Sequence, residues 1–98
     1  MAYEWHESKN AANRNKHGIA FEDAVHVFDD PANLTEADRD ASGEHRFRTL
    51  GRAGPNLLLL VVWTLREDEN DQEITRIISA RRATAGERRA YARQACAP

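Results

Sequence analysis

The run Leu57-Leu58-Leu59-Leu60-Val61-Val62-Trp63-Thr64-Leu65 has no polar side. Side chains of a strand alternate between two faces, so a strand apolar on both has to be central and covered above and below. Whatever else the chain builds must supply that cover. The run is too short to cross a bilayer, and no longer apolar stretch exists in the sequence. Gly54-Pro55-Asn56 is its leading turn, and the acidic stretch from Glu67 to Glu73 joins it to another strand, Ile74 to Arg82.

Helical cover is available on either side of these strands in sequence. Ser8 offers an N-cap oxygen to a helix over Lys9 to His17, and Gly18 after the cations Lys16 and His17 marks its end. Phe21, Ala24, Val25 and Phe28 then fall at i, i+3, i+4 and i+7, one apolar stripe, stopped by Asp29-Asp30-Pro31. Ala20 is a poor N-cap for this second helix. Near the other end, Thr84-Ala85-Gly86-Glu87 predicts a capping box that starts a helix running to about Ala95. Tyr3-Glu4-Trp5 reads as a short edge strand. Asn33 to Arg39 and His45 to Gly51 read as a polar, half-buried pair around the turn residues Asp40 to Gly43. The expected fold class is α+β, with a mostly antiparallel sheet, two N-terminal helices and one C-terminal helix in a single domain, residues 1–98.

Charge along this chain is segregated. The net value is only −2. Yet Ala20 to His45 holds Glu22, Asp23, Asp29, Asp30, Glu36, Asp38, Asp40 and Glu44 against Arg39 alone, whereas everything from Arg76 onward holds six arginines and one acid, Glu87. Arginine, the planar bidentate donor, far outnumbers lysine, which suits phosphate or carboxylate recognition. Cys96 is the single cysteine, so neither an intrachain disulfide nor a cysteine zinc cluster can form. His6, His26 and His45 lack ligand spacing, and no metal or other cofactor is expected. With no secretory leader or membrane span legible, a cytoplasmic location is expected. Neither a P-loop, a G-x-G-x-x-G nor a G-x-S-x-G is present.

Alternation along the Ile74 strand predicts that Ile74, Arg76, Ile78, Ala80 and Arg82 share one face and Thr75, Ile77, Ser79 and Arg81 the other. Arg81 and Arg82 then stand beside the N-terminus of the last helix, a place suited to an anion. A metal-free nuclease is chemically possible on such a surface. Cleaving RNA by attack of its own 2′-hydroxyl needs a base, cations around the phosphate and a donor for the leaving 5′-oxygen. Arginines can fill the second task. The other two could fall to Lys16, His17, Glu67 or Tyr91, and spacing does not choose among them.

Four ordered blocks carry a family resemblance: E-W-H-E-S-K-N-A-A-N-R-N-K-H-G-I-A-F-E-D-A, V-F-D-D-P, R-F-R-T-L-G-R and R-I-I-S-A-R-R-A-T-x-x-E-R-R-x-Y. Together they span nearly the whole chain, which resembles the BrnT family of type II toxins. The resemblance implies a RelE-like endoribonuclease toxin that cuts RNA and slows translation. It also implies neutralisation by a BrnA-type antitoxin in a hetero-oligomer, with operator DNA bound only through the antitoxin. It carries Lys16, His17, Arg52, Arg76, Ser79, Arg81, Arg82, Glu87 and Tyr91 onto family motif positions. From these, with Arg66 at the end of the central strand, the expected catalytic set is Arg76, Arg81, Arg66, His17 and Glu67, and the expected RNA-binding set Lys16, Arg52, Arg82, Arg88 and Tyr91. The chain departs from the family pattern at His6, at Ala20 and in the longer acidic loop after Arg66. Two other classes fit the residues: a non-catalytic RNA- or ribosome-binding domain, and a protein interaction module whose arginines meet an acidic partner.

Overall fold

The computed structural model describes residues 2–39 and 45–96, so the turn expected at 40–43 lies outside the described residues. Five strands form one sheet, ordered β1-β5-β4-β3-β2: β1 (Ala2–Glu4), β2 (Leu34–Arg39), β3 (His45–Gly54), β4 (Leu57–Glu67) and β5 (Glu73–Arg82). The three pairings among β2 to β5 are antiparallel, as expected. β1 pairs parallel to β5, which makes the sheet mixed and five-stranded. Three residues are enough to read as a strand but carry no register, so this partner was not legible.

The nonpolar run lies at the centre of the sheet as β4. It is buried on both faces only over Leu58–Val61, while its far end emerges into solvent at Leu65. One face is covered by α1 (Glu7–His17), α2 (Phe21–Ala24) and a 3-10 turn (Val25–Asp29), the other by α3 (Ala85–Cys96). Ile19, Phe21, Ala24 and Val27 pack on Leu59, Val61, Ile77 and Ala80 to make the larger core. Under α3, Tyr91 and Ala83 meet Leu50, Leu58 and Leu60.

Local chemistry explains where the elements depart from the sequence reading. α1 starts at Glu7 because the His6 carbonyl accepts from the backbone N–H of Lys9 and of Asn10, which puts Ser8 inside the first turn and leaves it no capping bond. The stripe from Phe21 continues past Ala24 as a 3-10 turn, tightened where the β-branched Val25 and Val27 disfavour α-helix. That turn lies hard against β3 at Gly51, where a Cβ would come within 3.0 Å of the Val27 carbonyl oxygen and 3.1 Å of its Cβ. Ala20 gives no side-chain cap; instead Asn10 Oδ1 accepts from the Phe21 N–H at 2.9 Å.

Along β5 the simple alternation fails. Val62 pairs with Ser79 but Trp63 pairs with Ile77, so Ile78 is an extra residue. The bulge reverses the faces beyond it. Ile77 and Ala80 consequently enter the same core, and Arg76 and Arg81, expected on opposite faces, share the α3 face.

Beyond Arg76, β5 has lost β1 as a neighbour. Asn13 of α1 takes the vacated place. Its side-chain amide donates to the Ala80 carbonyl at 2.8 Å and its Oδ1 accepts from the Ala80 N–H at 3.2 Å, as a neighbouring strand would. The same Nδ2 donates to the Ile19 carbonyl at 2.9 Å. One buried side chain thus fixes α1, its exit loop and the uncovered part of β5.

Candidate functional site

At the C-terminal end of β5, Arg82 lies on the face of the sheet that α1 covers, and Arg81 lies on the other face beside the first turn of α3. The capping box of α3 forms as expected: Glu87 N–H donates to Thr84 Oγ1 at 3.2 Å, and Glu87 Oε1 accepts from the Thr84 N–H at 2.8 Å. The carboxylate does more than cap. Arg81 donates to it through both terminal nitrogens, at 2.8 and 3.0 Å. The position expected to hold a foreign anion between Arg81 and the helix start is thus occupied by the chain's own Glu87.

Those bonds from Arg81 hold the Glu87 carboxyl at about 2, against the upward push of burial and with help from Thr84. A carboxyl depressed in this way contributes stability above its ordinary value, and the contribution drains as pH falls through that value towards the folded one. Because the Arg81 side chain is 37% exposed, solvent screening reduces the effect to roughly 1–2 kcal/mol. Urea unfolding at about pH 6 and about pH 3 is expected to show that loss, and Glu87→Gln should lower stability at the higher pH and flatten the difference. Equal pH dependence in parent and variant would remove Glu87 from this role.

On the α1 side, Arg82 follows Ala80 along the core face, and Lys16 and His17 follow Asn13 by three and four residues in the last turn of α1. Since Asn13 is bonded to Ala80, the end of α1 and the end of β5 lie together. Lys16 and Arg82 are exposed and His17 half-buried. None of the three has a carboxylate partner among the described residues.

Arg66 and Arg76 lie elsewhere. Five residues separate Arg76 from Arg81, roughly 15 Å along a strand, and their guanidiniums are turned to different carboxylates, Glu4 and Glu87. Glu4 of β1 gathers Arg66 and Arg76: Arg66 Nε and Nη2 donate to its two oxygens at 2.5 and 2.6 Å, and Arg76 Nη1 donates to Oε2 at 2.7 Å. The hydrogen bond from Arg66 is the main cause holding the Glu4 carboxyl below its usual range. Glu67 stands beyond this cluster, on the opposite side of β4 from Arg66, seven residues from the Leu60 that pairs with Arg81. The structure does not bring it to the end of β5.

Arg52 and Tyr91 form a third place. Tyr91 is buried and donates from its hydroxyl to Asp30 Oδ2 at 2.6 Å, while the Arg52 guanidinium lies 5.7 Å from the ring centroid. Burial and the bond to Asp30 push the Tyr91 phenol up. Its proton is committed within the fold, and Glu87 at i−4 turns away from it to Arg81. Arg88 lines a pocket of about 350 Å³ with Arg52 and Tyr91, and Arg89 is exposed.

Sequence reasoning missed Glu4, Arg46 and Arg48. Register puts Arg46, Thr64, Arg76 and Glu4 in one row across four strands, and Arg48, Val62 and Ser79 in the next. Arg48 is bonded to Glu36 at 2.8 Å. Alternation in β3 could have found both arginines, whereas nothing in a three-residue strand announces what Glu4 faces. Among the described residues no cluster of His, Cys, Asp or Glu suitable for a metal occurs, and no helix is long and apolar enough to cross a membrane.

An α+β domain carrying rows of arginine on a sheet face belongs, by comparison with known proteins, to a defined class: the ribonuclease toxins of type II toxin-antitoxin systems. Within it the chain is a member of the BrnT family, whose model, described as "Ribonuclease toxin, BrnT, of type II toxin-antitoxin system", matches residues 5–87. The match includes Lys16, His17, Arg76, Arg81, Arg82 and Glu87 but not Glu4, Arg88 or Tyr91. Among solved structures, the 1.1 Å crystal structure of the Brucella abortus ribonuclease toxin BrnT has a TM-score of 0.63 and 21% identity, covering 86% of this chain and 99% of that one. No curated protein matches the chain.

Proposed function

We propose that the protein is a metal-independent endoribonuclease toxin with a RelE-like arrangement, acting in the cytoplasm and silenced in a hetero-oligomer by a BrnA-type antitoxin. The observation that supports the choice of site is the pair of bonds from Asn13 to Ala80, which brings the last turn of α1, with Lys16 and His17, to the end of β5 where Arg82 lies on the same face. Phosphoryl chemistry needs cations not already neutralised. Arg82 and Lys16 meet that need, and Arg81, paired with Glu87 on the other face of the strand end, is the further guanidinium we assign to the site. His17 is the imidazole at this end and the group we assign to proton transfer. In this reading the substrate's 2′-hydroxyl attacks its own phosphorus, the 5′-oxygen leaves with a proton, and the arginines hold the charge on the crowded phosphate. Operator DNA is contacted through the antitoxin alone.

Labelled RNA incubated with purified protein in EDTA is expected to be cut, and His17→Ala and Arg82→Ala are expected to lose most of that cutting while remaining folded. Cutting abolished by EDTA overturns metal independence. No cutting by folded parent protein would favour ribosome-dependent action or the binding-only reading.

A further inference from the structure

The Glu4–Arg66–Arg76 cluster sits on the open part of the α3 face, where three strands each contribute one charged group. Two guanidiniums share the Glu4 carboxylate, and Asp68 of the neighbouring acidic loop also acts on Arg66, which leaves Arg76 as the less neutralised of the pair. Glu4 holds close together two cations that would otherwise repel. Arg76 gives one N–H to Glu4, and the rest of its fork makes no hydrogen bond among the described residues. The side chains of Arg66 and Arg76 are 45% and 31% exposed, accessible but constrained. Such a pre-positioned fork matches the two unesterified oxygens of a phosphodiester.

Its place along β5 decides what it can hold. Arg76 is roughly 15 Å from Arg81 along the strand, and the two guanidiniums are held by different carboxylates, Glu4 and Glu87, as separate places on the face. Between them on the same face run Ser79, Val62 and Thr64, half-buried and outside the cluster packed under α3. We infer that Arg66 and Arg76, clamped by Glu4, form a second subsite for single-stranded RNA, one that grips a backbone phosphate away from the cut. This rests on the reading of the protein as acting on RNA. In this role Arg66 and Arg76 set the length of RNA bound and leave the chemistry to the far end of the strand.

The test is binding of non-cleavable, fully 2′-O-methylated oligonucleotides, followed by fluorescence anisotropy. A dinucleotide, with one phosphodiester, can fill one site only; an octanucleotide can reach both. The octanucleotide is expected to bind at least tenfold more tightly, on the order of the contribution of one charge-assisted contact. Arg76→Gln should remove most of that advantage while leaving dinucleotide binding as it was, and should make the salt slope for the octanucleotide shallower by about 0.7. Arg66→Gln, at the more exposed partner, is the companion variant should Arg76→Gln unfold. Equal affinity for the two lengths, or equal weakening of both by the variants, overturns the subsite even if RNA is cut. Length-dependent binding without any cutting retains the subsite and sinks the ribonuclease assignment instead. An advantage insensitive to both substitutions, with loss of binding to an acidic antitoxin peptide, would assign the pair to protein contact and overturn the inference.

Discussion

Asn13→Ala is expected to destabilise the domain by about 3 kcal/mol, the largest effect of any single polar substitution predicted for it. Three backbone groups lose their partner at once: the carbonyls of Ile19 and Ala80 and the N–H of Ala80. Each buried group left unpaired costs about 1–3 kcal/mol, part of which entering water would recover. For a domain of this size the melting midpoint should fall on the order of 15 °C. Asn13→Asp tests the cause, since a carboxylate keeps the shape but cannot donate to either carbonyl. It should be at least as damaging near neutral pH. A midpoint within a few degrees of the parent in both variants would show that β5 does not depend on α1 for its edge.

Arg81→Ala is expected to lower the rate of RNA cleavage on the order of a hundredfold, equivalent to about 2–3 kcal/mol of transition-state stabilisation. It also removes the partner of Glu87, so a stability loss of roughly 1–2 kcal/mol should accompany it. The comparison with Glu87→Gln separates the two roles. Glu87→Gln should bring a comparable loss of stability and a much smaller loss of rate, because the guanidinium remains at the end of β5. Arg81→Lys should recover little, a point charge being no substitute for a fork held in place at two nitrogens. Full activity in a folded Arg81→Ala variant would take Arg81 out of the site.

Much of the architecture was legible because its signals were local and strong. The nonpolar run could only be central, the capping box at Thr84 and Glu87 could only start a helix, and Gly18 ends α1 in the left-handed conformation its position suggests. What failed was non-local. A bulge at Ile78 reverses the side chains of β5, and alternation has no means of announcing it in a run of isoleucine and small residues. Asn10 and Asn13 look like ordinary polar residues of a helix, yet both are buried and each makes hydrogen bonds that tie distant backbone together. The site suffered for the same reason. Arg66, Arg76, Arg81, His17 and Glu67 were expected as one constellation, whereas Glu4 captures Arg66 and Arg76 and Glu87 holds Arg81.

The bond between Glu4 and Arg76 joins residues 72 positions apart. Closing a loop of that length costs on the order of 4 kcal/mol in chain entropy before any contact is made. The β2–β3 and β3–β4 pairings join far nearer partners and are expected to form earlier. Pairing of β1 with β5 is therefore a late event in folding. Until it happens, Arg66 and Arg76 have no carboxylate to draw them together, so the RNA-gripping surface should appear only with the last step of refolding. In a stopped-flow experiment, recovery of octanucleotide binding should lag behind the burial of Trp63.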